Sequence, residues 1–328
     1  MNILNSIHLY PPQHLCGAEF MIHALNKSCK SYGHDVRVLL HQANHYKIKN
    51  HYIFDDIDVF PPDQILLEKL VNWSSALFTH LDYTRLTIAM ADMFNKPLFH
   101  LIHNTHTYPE IVQANKPQCI IYNSNWAKSR LNYNHDSFVL HPPCDYRHYD
   151  CVDNPNDNEY ITLINLNENK GGNLLYEIAE LLPHKKFLGV KGSYDLQCLK
   201  SLPNVTILDK QIDIREVYKK TRLLIMPSLY ESWGRTATEA MASGIPVICT
   251  ETGGLAENCS NAGIYVERTA DAYAKEIEKL DNQKLYLRKS KDSRIRSREL
   301  DPINELAKFN EWLKLKVNEY TNKQNRNY

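Results

Sequence analysis

The residues with the clearest chemical potential in this 328-residue chain lie at 228–247, Ser-Leu-Tyr-Glu-Ser-Trp-Gly-Arg-Thr-Ala-Thr-Glu-Ala-Met-Ala-Ser-Gly-Ile-Pro-Val. Glu231 and Glu239 bracket Gly234 and the opening of a predicted helix. The segment therefore offers carboxylates and helix-start backbone amides together. Those amides lack internal partners and carry partial positive charge, so they attract anions. Gly234 allows a ligand close approach to the backbone. If a helix ran from Glu231 to Glu239, their backbones would stand about 12 Å apart. Glycosidase carboxylates are closer, roughly 5 Å apart in retaining enzymes and roughly 6.5–9.5 Å in inverting ones. The pair suits gripping two ends of one ligand better than acid/base work across one bond. A ligand with both hydroxyls and phosphates, such as a nucleotide sugar, matches that chemistry.

The elements that position these residues follow from local pattern. Leu223-Leu224-Ile225-Met226 is a short apolar run that reads as a buried strand. Thr236–Ala242 holds good helix formers, Gly244 stops the helix, and Pro246 cannot continue it. The order is strand, loop at 227–234, helix, strand. Along the chain, strands are expected at 2–8, 35–40, 74–79, 97–102 and 118–122, with helices at 18–32 and 83–94 between them. After a polar stretch at 150–158 with the character of an interdomain linker, strands are expected near 160–165, 185–190, 204–208, 222–226 and 245–249. Such alternation predicts parallel sheets covered by helices. Leu306, Phe309, Leu313 and Val317 have helical spacing within 303–320, and 321–328 read as frayed.

The segment at 231–239 resembles the Glu-x7-Glu signature of retaining glycosyltransferases of family 4 (GT4), which have the GT-B fold. Ile245-Pro246-Val247-Ile248 and Thr252-Gly253-Gly254-Leu255-Ala256-Glu257 resemble that family's next strand and glycine-rich turn. Val139-Leu140-His141-Pro142-Pro143 resembles the end of its N-terminal domain. Ile161-Thr162-Leu163-Ile164 leading to Lys170-Gly171-Gly172 resembles the opening of its C-terminal domain. Tyr10-Pro11-Pro12 with Gly17-Ala18-Glu19 resembles its first loop. The likeness is strongest over 160–260 and weakest over 40–70 and after 265.

The resemblance implies an α/β chain of GT-B type, with two Rossmann-like parallel-sheet domains facing a central cleft. Residues 1–152 form the acceptor-side domain and 153–302 the nucleotide-sugar side. Residues 303–328 form a C-terminal helix crossing back to the N-terminal domain. It implies that Glu239 accepts hydrogen bonds from ribose hydroxyls and that Glu231 holds hydroxyls of the transferred hexose. Backbone amides around Trp233, Gly234 and Arg235, with Thr236 beside them, face the donor. Lys170 follows a strand end and supplies a point charge for the diphosphate. The family pairs that lysine with an arginine about one strand-end earlier, where this chain has Ile164, Asn165 and Leu166. The diphosphate then falls to Lys170 with help from Asn165, or to Arg235. Gly17 precedes a helix, and its amide with that of Ala18 could meet a phosphate. The family has two glycines there, whereas this chain has Cys16 before Gly17. The resemblance places a strand-end histidine, His103 in preference to His106, against the donor sugar.

By that resemblance the activity is metal-independent, retaining transfer of a hexose to an acceptor hydroxyl, with the leaving diphosphate assisting and no enzymic nucleophile. Two other readings stand beside it, a GT-B nucleotide-sugar epimerase and a non-catalytic nucleotide-sugar-binding protein. No cofactor is expected, since the UDP- or GDP-linked donor is a substrate. The acceptor is a glycan, a lipid-linked sugar or a small molecule.

No metal site is expected. On a strand leaving into a loop, the spacing of His100, His103 and His106 does not put all three on one face. There is no His-Glu-x-x-His helix. Asp56-Ile57-Asp58 matches a metal-binding triplet of the other large glycosyltransferase fold, but reads here as a surface loop.

Composition sets the outer bounds. Hydrophobic residues make up 43%, enough for real cores, and 38 basic residues balance 38 acidic ones. Zero net charge gives no argument for nucleic-acid binding. No apolar run approaches the ~20 residues of a bilayer span, so at most peripheral membrane contact is expected. The N-terminus lacks the pattern of a secretory signal. The 8 cysteines form no Cys-x-x-Cys pair, and reduced thiols in a cytoplasmic protein are expected.

Overall fold

The computed structural model describes residues 1–13, 16–42, 47–106, 111 and 118–325. They form two compact units, Met1–Pro143 with Pro302–Tyr328, and Cys144–Asp301.

The first unit is built on strands β1 (Asn2–Ile7), β2 (Asp35–Leu40), β3 (Tyr52–Phe54), β4 (Ile57–Phe60), β5 (Ala76–His80), β6 (Leu98–Ile102), β7 (Cys119–Tyr122) and β8 (Asp136–Val139). Their order in the sheet is β3-β4-β2-β1-β5-β6-β7-β8. Every pairing is parallel except the β3–β4 hairpin. Helices Gly17–Ser31, Gln64–Trp73 and Thr84–Met93 connect the parallel strands. The apolar face of Gly17–Ser31, with Met21, Ile22 and Leu25 buried, packs into one core with Ile3, Val38, Phe78 and Phe99.

Asp56-Ile57-Asp58 lies only partly in a surface loop, with Asp56 in an exposed turn and the other two on a strand. Ile57 and Asp58 belong to β4, Ile57 is buried, and Asp58 Oδ1 pairs with His51 Nε2 at 2.6 Å. Asp55 and Asp56 form the hairpin turn with φ of 47° and 61°. Those left-handed values fit a two-residue turn of the kind that matches strand twist.

The C-terminal helix spans Ile303–Asn325 and belongs to the first unit. Phe309, Leu313 and Val317 follow one another at i, i+4 and enter its core. Asn310 Nδ2 donates to Ser28 Oγ at 3.0 Å, and Glu305 accepts from the His141 backbone amide at 2.9 Å. The helix continues through 321–325, where sequence pattern predicted fraying; 326–328 lie outside the described residues.

The second unit carries β9 (Tyr160–Ile164), β10 (Lys186–Val190), β11 (Val205–Leu208), β12 (Thr221–Met226), β13 (Val247–Cys249) and β14 (Ile264–Tyr265). The order is β11-β10-β9-β12-β13-β14, with every pairing parallel. This is the doubly wound 3-2-1-4-5-6 arrangement, and its order reverses between β9 and β12. The polar stretch 150–158, expected as an interdomain linker, lies within this unit, tied down by Arg294, which contacts Asp150 and the Val152 carbonyl.

Candidate functional site

Ligands of doubly wound sheets bind beyond the carboxyl ends of the strands, at the point where strand order reverses. In the second unit the loops leaving that point are 165–171, after β9, and 227–234, after β12. They carry Lys170 and Glu231, and the structure brings these together: Lys170 Nζ lies 2.7 Å from Glu231 Oε1. Ser228 Oγ donates to the same oxygen at 3.0 Å. Glu231 is 7% exposed, so the pair is largely withdrawn from water. Burial pulls the Lys170 pKa down, but the Glu231 carboxylate outweighs it and holds the pKa above the ordinary lysine value. Lys170 is therefore an ammonium at neutral pH.

The lysine loop is shaped by its own sequence. Asn167 Oδ1 accepts from the Lys170 amide at 2.9 Å, closing a short turn. Gly171 then adopts φ 90° and starts the helix Gly172–Leu181. A Cβ on Gly171 would stand 2.5 Å from Pro227 Cγ, so the two loops meet at a glycine. Leu229 N donates to the Asn169 carbonyl at 2.8 Å and fixes the same contact.

Glu231 lies in the loop and not on the helix, which begins at Arg235. The helical spacing considered for the two glutamates therefore does not apply. Gly234, at φ 84°, turns the chain into Arg235–Ala242. Glu239 sits one turn in and is 6% exposed. Its Oε1 accepts from Arg235 Nε at 2.7 Å and its Oε2 from Tyr218 OH at 2.8 Å. Arg235 Nη2 also reaches Tyr149 OH at 3.2 Å. Burial opposes the Arg235 charge, yet Glu239 holds its pKa above the ordinary value. Two carboxylate–cation pairs thus line the start of this helix.

The turn at 252–258 supports the loop from behind. Gly254 N donates to the Glu231 carbonyl at 2.9 Å, and Gly254 packs so tightly on the Ser232 carbonyl that a side chain would not fit. Asn258 Nδ2 donates to the carbonyls of Trp233 and Gly234 at 3.0 and 2.9 Å. Trp233 is buried, and Thr236 Oγ1 donates to Met226 Sδ at 3.6 Å.

Asn165 has φ 71°, and its Oδ1 accepts from Gln197 Nε2 at 3.2 Å and from the Asn167 amide at 3.3 Å. Its side chain is engaged in holding the loop's shape. Sequence reasoning missed Tyr218, Tyr149, Asn258 and Gln197. Each acts through a contact with residues distant in sequence, and none belongs to a recognisable motif.

Gly17 and His103 belong to the first unit. Gly17 opens the helix Gly17–Ser31 at an exposed position with space around it. His103 follows β6, and its Nε2 lies 3.1 Å from His80 Nδ1. Burial lowers the His103 pKa to about 4, with Glu19 opposing and His8 reinforcing the shift, so the ring is neutral at pH 7. His100 turns to Gln118 and His106 is exposed, so the histidines spaced three apart do not gather.

Residues 152–298 match the family Glycosyl transferases group 1. D-inositol 3-phosphate glycosyltransferase of Streptomyces bingchenggensis is 42% identical over 74 residues, 21% of this chain and 16% of that protein. An uncharacterized glycosyltransferase of Methanocaldococcus jannaschii is 43% identical over 44 residues, 13% of this chain and 11% of that protein. The matched stretches thus span less than a fifth of these curated relatives. Among solved structures, a glycosyltransferase from Rickettsia africae superposes with TM-score 0.75 at 16% identity, covering 96% of this chain and 98% of that one. Anabaena Alr3699/HepE in complex with UDP-glucose gives 0.74 at 16% identity, covering 96% and 99%. The fold is GT-B.

Proposed function

We propose that this protein is a retaining glycosyltransferase that moves a hexose from a UDP- or GDP-sugar to an acceptor hydroxyl. The observation that carries the reading is the second unit's switch point. There Lys170 meets Glu231 at 2.7 Å beside the amino end of the helix bearing Glu239. The match of residues 152–298 to group 1 glycosyl transferases supports it, as does the UDP-glucose found in a protein of the same fold.

In this reading Glu239 takes the ribose hydroxyls and Glu231 the hexose hydroxyls. The Lys170 ammonium and the amides at Gly234 and Arg235 stabilise charge growing on the departing diphosphate. Such donors, already oriented, lower the barrier without reorganisation. The bond between C1 and the phosphate oxygen breaks, and a bond from the acceptor oxygen to C1 forms on the same face. The acceptor's proton passes to the leaving phosphate oxygen, so no enzymic nucleophile is needed. Gly17 and His103 are the first unit's proposed contributions, and Asn165 acts by shaping the lysine loop. The acceptor is a glycan, a lipid-linked sugar or a small molecule. Among the described residues no helix is long and apolar enough to cross a membrane.

The test is product analysis with a panel of nucleotide sugars and acceptors, with magnesium omitted. The reading expects nucleoside diphosphate release coupled to a new glycoside that keeps the donor's anomeric configuration. Conversion of a donor without acceptor would identify an epimerase. Tight donor binding with no release from any acceptor would identify a binding protein, the outcome motivated by the absence of arginine at 164–166.

A further inference from the structure

The first unit has its own point of strand-order reversal, between β1 and β5, and a different set of side chains converges there. His8 follows β1, Glu19 lies in the first turn of the helix Gly17–Ser31, and His80 ends β5. One ligand atom from each lies within 4.8 Å of the others. His8 Nε2 stands 3.0 Å from Glu19 Oε1. We propose that His8, Glu19 and His80 form a binding site for a zinc-class divalent cation.

The chemistry of the set favours this class. Two imidazoles and one carboxylate, with a further position for water, make up a common zinc ligand set. Nitrogen-rich borderline donors select zinc or cobalt over magnesium or calcium, which prefer all-oxygen shells. Bonds of about 2.0–2.1 Å place tetrahedral ligands roughly 3.3 Å apart, and the direct His8–Glu19 contact at 3.0 Å is close to that spacing. The His80 ligand atom lies within 4.8 Å of the other two, and closing the set brings it toward them. Because His80 turns Nδ1 to His103 Nε2 at 3.1 Å, it presents Nε2 to the cation. A metal-binding histidine is normally oriented through its other nitrogen in this way. Glu19 and His80 are 1% and 0% exposed. The ligands are 11 and 61 residues apart in sequence, which is why no spacing motif reveals them.

The experiment titrates Co2+ and Zn2+ into the full-length protein after chelator treatment and dialysis. Calorimetry and the cobalt absorption spectrum are read together. One equivalent is expected, with a spectrum of nitrogen and oxygen ligation and no thiolate charge-transfer band. Glu19→Gln and His80→Phe should each remove that equivalent, and His103→Ala should weaken it by about 10–100-fold, as loss of an orienting partner does. Absence of stoichiometric binding to the wild-type protein would overturn the proposal. So would a thiolate spectrum, or binding unchanged in Glu19→Gln. The wild-type titration and spectrum decide the matter even if His80→Phe fails to fold.

Discussion

Replacing Glu231 by glutamine separates the stability of the second unit from its chemistry. Glu231 Oε1 accepts from Lys170 Nζ at 2.7 Å and Ser228 Oγ at 3.0 Å. Glutamine keeps a carbonyl oxygen for these donors but removes the charge that balances Lys170. Removing one partner of a buried pair outright costs about 3–5 kcal/mol. Because the variant retains an acceptor, and Lys170 keeps contact with water, about 1–3 kcal/mol of stability should be lost. For a unit of this size that lowers the melting temperature by about 2–12 °C, readable by calorimetry. The effect on transfer should be separate. A hydrogen bond to a charged acceptor contributes about 1.5–3 kcal/mol, so turnover should fall roughly 10–150-fold below the melting transition. The assay is coupled release of nucleoside diphosphate at saturating donor. Unchanged turnover in a folded variant would refute the assignment of Glu231 to the transferred sugar.

Further outcomes follow from the same geometry. Tyr218→Phe leaves the buried Glu239 Oε2 short of its 2.8 Å donor. It should cost about 1–3 kcal/mol in urea unfolding and raise the donor KM more than it lowers kcat. Gly171→Ala forces a side chain into a φ 90° position against Pro227. The variant should lose donor affinity by calorimetry through displacement of the Lys170 loop. Phe309→Ala opens a cavity in the first unit's core and should destabilise it by about 3–5 kcal/mol, measured by denaturant unfolding. Donor at 100 times its Kd should stabilise the protein by about 2.7 kcal/mol in thermal melts, whereas sugars without the nucleotide should not.

The fold is largely legible in the sequence because short apolar strands alternate with helical patterns. Leu223–Met226 is an apolar run with every residue buried, the signature of a strand covered by helices, and Ile3–Ile7 is buried throughout although Asn5 and Ser6 interrupt its apolar residues. The β3–β4 hairpin is not legible. Its strands are short, and Asp55-Asp56 supplies left-handed turn geometry without the usual glycine. β8, Asp-Ser-Phe-Val, sits at the sheet edge with one exposed and three half-buried residues, so its pattern carries little signal. Lys170 and Glu231 were each identified as candidates from their neighbours. That their side chains meet across 61 residues is a tertiary fact. The resemblance points Glu239 at ribose, but its engagement by Arg235 and Tyr218 carries no signal in the sequence, since Tyr218 sits in a short helix with no motif of its own.

The central claim is that the second unit's switch point holds an activated sugar through Lys170, Glu231 and Glu239. Calorimetric titration of a nucleotide-sugar panel into wild-type protein and a Lys170→Met variant tests it most directly. The account predicts one-to-one binding of at least one donor to the wild type and at least tenfold weaker binding to the variant. Failure of every nucleotide sugar to bind, or equal affinity in both proteins, would contradict it.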